Sequence, residues 1–132
     1  MSDDSSLAVL EPARRLAARL AHDVGKYLAR TAHNVVPPNW TPELAAMLCR
    51  DLFELEGGRA SLVFEDLAGS FEALVGPRPE LAHARGLLVA IDALEGDARR
   101  GQPAALDSAA CLALAVEDTL RAFAHNLMKA AP

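Results

Sequence analysis

Apolar residues recur at three- and four-residue spacing along most of this chain. Leu10, Leu16, Leu20, Val24, Tyr27, Leu28 and Val35 trace one such line, the mark of a helix that buries a single face. The pattern predicts a first helix over residues 7–36. Pro37-Pro38 ends it, because a residue before proline is pushed out of the α region. Thr41-Pro42-Glu43 restarts the chain with an N-cap, a proline at the first helical position and an early acid. The second helix then runs to about residue 55 and stops at Gly57-Gly58. A third, over 59–74, carries the echo Phe64-Glu65-Asp66-Leu67 and Phe71-Glu72-Ala73-Leu74, which puts two Phe-Leu pairs on one face. Gly76-Pro77-Arg78-Pro79 is a break. A fourth helix over 80–99 has Leu81, Leu87, Leu88, Ile91 and Leu94 as its stripe. After Gly101-Gln102-Pro103, a fifth over 105–130 has Leu106, Leu114, Leu120, Phe123 and Leu127.

No segment alternates β-branched and polar residues between hairpin turns. The expectation is therefore an all-α fold, a single antiparallel four- or five-helix bundle over 7–132, with a flexible tail at 1–6. A chain of 132 residues fits one domain with a sizeable core. Hydrophobic residues make up 52% but aromatics only 5%, and the net charge is −5. That balance argues against nucleic acid as a partner, since phosphate neutralisation needs a basic surface. The acidic start MSDDSSLAVLE lacks the basic opening of a signal peptide, and no apolar run is long enough to span a bilayer. A cytoplasmic protein is expected. Cys49 and Cys111 each fall in an apolar helical pattern and read as small buried hydrophobes.

The first helix holds the candidate chemistry. On a helical wheel His22 points nearly opposite the apolar stripe. Arg15, Ala18, Arg19, Gly25, Lys26, Ala29 and His33 share its side. From Glu11 to Val36 the basic residues are Arg14, Arg15, Arg19, Lys26 and Arg30, against the acids Glu11 and Asp23. This stretch is thus positive within an acidic chain. The neighbours of His22 one turn away, Ala18 and Gly25, are small, and a mid-helix glycine costs roughly 1 kcal/mol relative to alanine. An exposed histidine with small neighbours and flanking cations suits phosphoryl transfer. His22 would accept the phosphoryl group in line, and Lys26 would stabilise its charge. Arg15 and Arg19 would guide an acidic partner, and Asp23 would fix the imidazole tautomer.

The run His22-Asp23-Val24-Gly25-Lys26-Tyr27-Leu28 resembles the H-box of histidine-kinase dimerisation and histidine-phosphotransfer domains. Gly25 and Lys26 stand in the reverse of the common order. The resemblance implies a helical bundle with His22 as phosphoryl carrier and a response-regulator receiver domain as protein partner. It implies no cofactor. The run Ala21-His22-Asp23-Val24-Gly25-Lys26 is also similar to the HDxGK signature of HD-domain phosphohydrolases. That resemblance implies a divalent metal held by His22 and Asp23, with Asp92 as the later acid, in an active or degenerate hydrolase. The metal-binding histidine that family carries upstream has no counterpart here, because His22 is the first histidine of the chain.

A third reading is structural. Ala18, Ala21, Gly25, Ala29 and Ala32 recur every three or four residues, a stripe that permits close helix packing or a homodimer. Its marginal cations would then pair with Glu65, Asp66 and Glu72 of the third helix. His33 lies about 16 Å of helical rise from His22, too far to share one metal ion. His83 and His125 stand on other helices. The sequence as a whole favours a non-catalytic signalling or interaction module, and phosphotransfer through His22 is its most specific form.

Overall fold

The computed structural model describes residues 2–33, 58–100 and 102–129, together with Glu43, Met47, Arg50 and Phe53. Helix α1 spans Ser2–Arg19 and continues without a break into a π-helical segment, Leu20–Lys26, and then α2, Tyr27–Ala32. Helix α3 spans Gly58–Val75, α4 Pro79–Arg99 and α5 Pro103–Lys129. The fold is an all-α helical bundle. The second helix expected over residues 41–55 lies outside the described residues, apart from the four single positions. Of these, Phe53 is buried and Glu43, Met47 and Arg50 are exposed.

The breaks fall where glycine and proline dictate. Gly76 adopts φ +87°, a conformation costly for any residue with a Cβ. Its N–H donates to the Glu72 carbonyl at 2.8 Å and closes α3. Arg78 is extended, Pro79 opens α4 and Glu80 supplies an acid to the first turn, where it complements the helix dipole.

Helix α5 is the hub: it packs against α1, the π segment, α2 and, most extensively, α4. Arg14 Nε donates to the Leu127 carbonyl at 3.1 Å, while Gly25 lies against Glu117. The contacts advance along α1 as they retreat along α5, so these two helices run in opposite directions. The core joins Leu20, Val24 and Leu28 to Phe64, Phe71, Leu81, Ile91, Leu106, Val116 and Leu120, all fully buried. Ala13, Ala17, Ala68, Ala84, Ala109 and Ala113 fill the spaces between them. Small residues at these positions let helix axes approach closely, which is how a chain poor in aromatics still packs a dry interior. Phe71 meets Phe123 edge to face, with ring centroids 5.1 Å apart.

Three packing expectations need correction. Cys111 is exposed, because the buried line of α5 passes through Ala109, Ala110 and Ala113 and leaves it outside; Cys49 lies outside the described residues. Leu74 is exposed although Phe64, Leu67 and Phe71 are buried, since it stands in the last turn of α3. Glu65 and Glu72 do not pair with cations of the first helix. Both meet Arg85 of α4, at 3.0 and 3.4 Å, and Asp66 is exposed.

Candidate functional site

The π segment coincides with the stretch singled out in the sequence, Leu20-Ala21-His22-Asp23-Val24-Gly25-Lys26. In a π-helix the backbone N–H bonds five residues back instead of four. Each residue then turns the chain by less than the 100° of an α-helix, so a wheel drawn at α-helical pitch loses register here. Val24 and Gly25 are both inside, followed four residues on by Leu28 and Ala29. His22 and Lys26 are both outside.

This divides the face expected around His22. Arg15, Ala18, Arg19, His22, Lys26 and His33 are exposed as anticipated. Gly25 and Ala29 are buried instead. The missing Gly25 side chain does not leave room for a partner beside His22. It admits the backbone of α5: a Cβ built on Gly25 would stand 3.1 Å from Glu117 Cα. Gly25, Ala29 and Ala32 therefore serve packing within the chain. Ala18 remains the small exposed neighbour of His22.

What lies beside His22 is a shallow groove between the π segment and α5, with a volume of about 460 Å³. Ala18, Ala21 and Ala124 give it an apolar floor, and His22, Lys26, Glu117 and Arg121 rim it. Arg121 reaches Asp118 at 2.7 Å and Glu117 at 3.8 Å, so the far wall is an internally paired charge cluster. Sequence reasoning missed Glu117, Arg121 and Ala124. Their spacing on α5 marks an ordinary exposed ion-pair ladder, and nothing local ties it to His22.

The electrostatics of His22 are well defined. Its Nδ1 stands 2.9 Å from Asp23 Oδ1, and Arg19 Nε stands 3.5 Å from Asp23 Oδ2. The hydrogen bond from His22 holds the Asp23 carboxyl below its ordinary pKa of 3.8. Partial desolvation opposes that shift and the Arg19 charge adds to it. Asp23 is therefore ionised at neutral pH and can only accept, so Nδ1 carries the proton and donates. In the neutral ring the lone pair is then on Nε2. The His22 side chain is 65% exposed.

The metal reading asks for more donors than this pair. Among the described residues no group of three His, Cys, Asp or Glu side chains could hold a metal ion. Asp92 is exposed on α4. No helix among the described residues is long and apolar enough to cross a membrane. No known protein family, curated protein or solved structure matches this chain.

Proposed function

We propose that this chain is a helical signalling module that carries a phosphoryl group on His22 and exchanges it with the receiver domain of a protein partner. One observation carries the reading. Ionised Asp23 fixes the proton on His22 Nδ1, which leaves the Nε2 lone pair on an imidazole open to solvent. The groove geometry fits this role. Lys26 rims the same groove and supplies positive charge for phosphate oxygens, and Ala18 adds no bulk beside the ring. The location in a π segment adds to it, since such segments recur at functional sites.

The step balances with these groups alone. The Nε2 lone pair attacks the phosphorus of an aspartyl phosphate on the partner, the phosphorus–oxygen bond to the acyl group breaks, and the partner's carboxylate leaves with that electron pair. The ring, protonated at Nδ1, becomes cationic as the nitrogen–phosphorus bond forms. Asp23 offsets that charge across its hydrogen bond, with no proton lost to solvent. The return reaction runs through the same groups.

Chemical phosphorylation of the purified protein with phosphoramidate, read by intact mass and acid lability, tests this. A single acid-labile phosphate that is absent from His22→Gln is the expected result. Failure of His22 to react while His33, His83 or His125 is modified would refute a reactive Nε2.

A further inference from the structure

Away from the His22 groove, two cations converge on one tyrosine. The Arg30 guanidinium carbon lies 5.2 Å from the Tyr27 ring centroid, and that of Arg59, from the first turn of α3, lies 5.4 Å from the same centroid. These distances bound the separation of the two guanidiniums at 10.6 Å. Both arginines are exposed and Tyr27 is half-buried.

Five other guanidinium groups on this surface are neutralised, Arg100 by Asp97 among them. Arg19 meets Asp23, Arg85 meets Glu65 and Glu72, Arg99 meets Glu95, and Arg121 meets Asp118. Among the described residues, Arg30 and Arg59 have no carboxylate within ion-pair distance. A ring face offsets a cation by only about 0.5–1 kcal/mol at an exposed site. Two like charges on one ring also repel. The chain is acidic, with net charge −5, so this pair is not a sample of a generally basic surface. Nor does Tyr27 supply a counter-charge: its ring lies against both guanidiniums and leaves them without an anion.

We infer that Arg30, Arg59 and the Tyr27 ring form a binding site for the dianion of a phosphate monoester. Each guanidinium presents a planar fork that matches a pair of phosphate oxygens. A monoester dianion has three free oxygens and two charges, enough to engage both forks and to cancel both cations. A lone carboxylate offers two oxygens and one charge. Roughly 4 Å separates a guanidinium carbon from an oxygen it binds, allowing for an N···O distance near 2.9 Å. One phosphate can therefore bridge two forks that share one side of the ring, with guanidinium carbons up to about 8–9 Å apart, inside the 10.6 Å bound. Because Arg30 belongs to α2 and Arg59 to α3, a bound dianion ties the two helices together. The site uses neither His22 nor the groove beside it, and does not depend on their role.

Thermal unfolding in a titration of inorganic phosphate, at ionic strength held constant with chloride, tests the inference; phenyl phosphate supplies the ester arm. A saturable rise in Tm of several degrees is expected, by mass action on the folded state. Arg30→Gln and Arg59→Gln should each weaken the response at least tenfold, and the double variant should abolish it. His22→Gln should leave it intact. A rise no greater than chloride produces, a response that survives the double variant, or one lost in His22→Gln would each overturn the assignment. A response to inorganic phosphate with none to phenyl phosphate would overturn the monoester as ligand.

Discussion

Three mid-helix glycines give the sharpest test of the packing described above. A Cβ added to Gly69 in α3 or Gly86 in α4 would meet no atom within 4 Å. A Cβ added to Gly25 would lie 3.1 Å from Glu117 Cα and 3.7 Å from Glu117 Cβ and Cγ. Replacing a helical glycine by alanine gains up to about 1 kcal/mol, because the unfolded chain loses freedom and the helix gains propensity. Gly69→Ala and Gly86→Ala should therefore each stabilise by about 0.5–1 kcal/mol.

At Gly25 the same gain meets an opposing cost. Carbon atoms pack favourably at about 3.5–4.0 Å, so the helices must separate by several tenths of an ångström. The obstructing atom is backbone, and it cannot rotate away. Helix α5 would have to shift, and it carries the buried Ala113, Val116 and Leu120 with it. Overpacking of this kind costs about 1–3 kcal/mol. Gly25→Ala should thus be destabilised by up to about 2 kcal/mol, and should sit about 1–3 kcal/mol below the other two variants. Urea unfolding followed by far-UV circular dichroism, with equal slopes across the three, reads the difference directly. If Gly25→Ala gained as much stability as Gly69→Ala, the close approach of the π segment to α5 would be wrong.

Two further outcomes follow from the same contacts. Asp23 has a folded-state pKa below its ordinary value of 3.8, so its contribution is fully present above that value and is lost as pH falls through the folded one. The stability difference between the native chain and Asp23→Asn, under about 1 kcal/mol because the pair is solvent-screened, should be present from neutral pH to about pH 5. It should vanish in more acidic urea titrations, and a difference that persisted unchanged after Asp23 had been protonated would contradict the His22–Asp23 hydrogen bond. Phe71 is fully buried and meets Phe123 edge to face, so Phe71→Ala should lose about 3–5 kcal/mol in urea unfolding. A loss below about 1 kcal/mol would place Phe71 outside the core.

The helix ends around Gly76–Pro79 and Pro103 were readable because local chemistry sets them, whereas the first helix begins at Ser2, inside the tail expected over residues 1–6, and turns π-helical at Leu20. Gly76, Pro79 and Pro103 act on their own backbone and need no partner, so their breaks fall where the sequence put them. Leu20, Val24 and Leu28 were equally legible as core, since their four-residue spacing suits either kind of helical turn. Gly25 and Ala29 were not. Gly25 is buried by contact with Glu117 and Ala29 by the packing of α2 on α5, and no local signal announces either. Cys111 shows a related limit: an apolar neighbourhood in sequence includes positions on every side of the helix, and only the packed partner decides which side is in.

The π segment also links the fold to the chemistry. Two requirements meet in seven residues: Val24 and Gly25 must both reach the interior, and His22 and Lys26 must both face the groove. Both are met in the π segment: two consecutive residues lie inside while the residues on either side, Asp23 half-buried and Lys26 exposed, stay at the surface. Asp23 is thereby held at the edge of the core, close enough to His22 Nδ1 to fix its proton and open enough to keep its charge. The same geometry leaves Gly25 with no freedom to vary. A side chain there would press on α5, which carries Glu117 and Arg121, and would disturb both walls of the groove at once. Glycine in mid-helix is thus explained by packing alone, and the exposed, oriented imidazole of His22 is the feature that packing leaves unexplained.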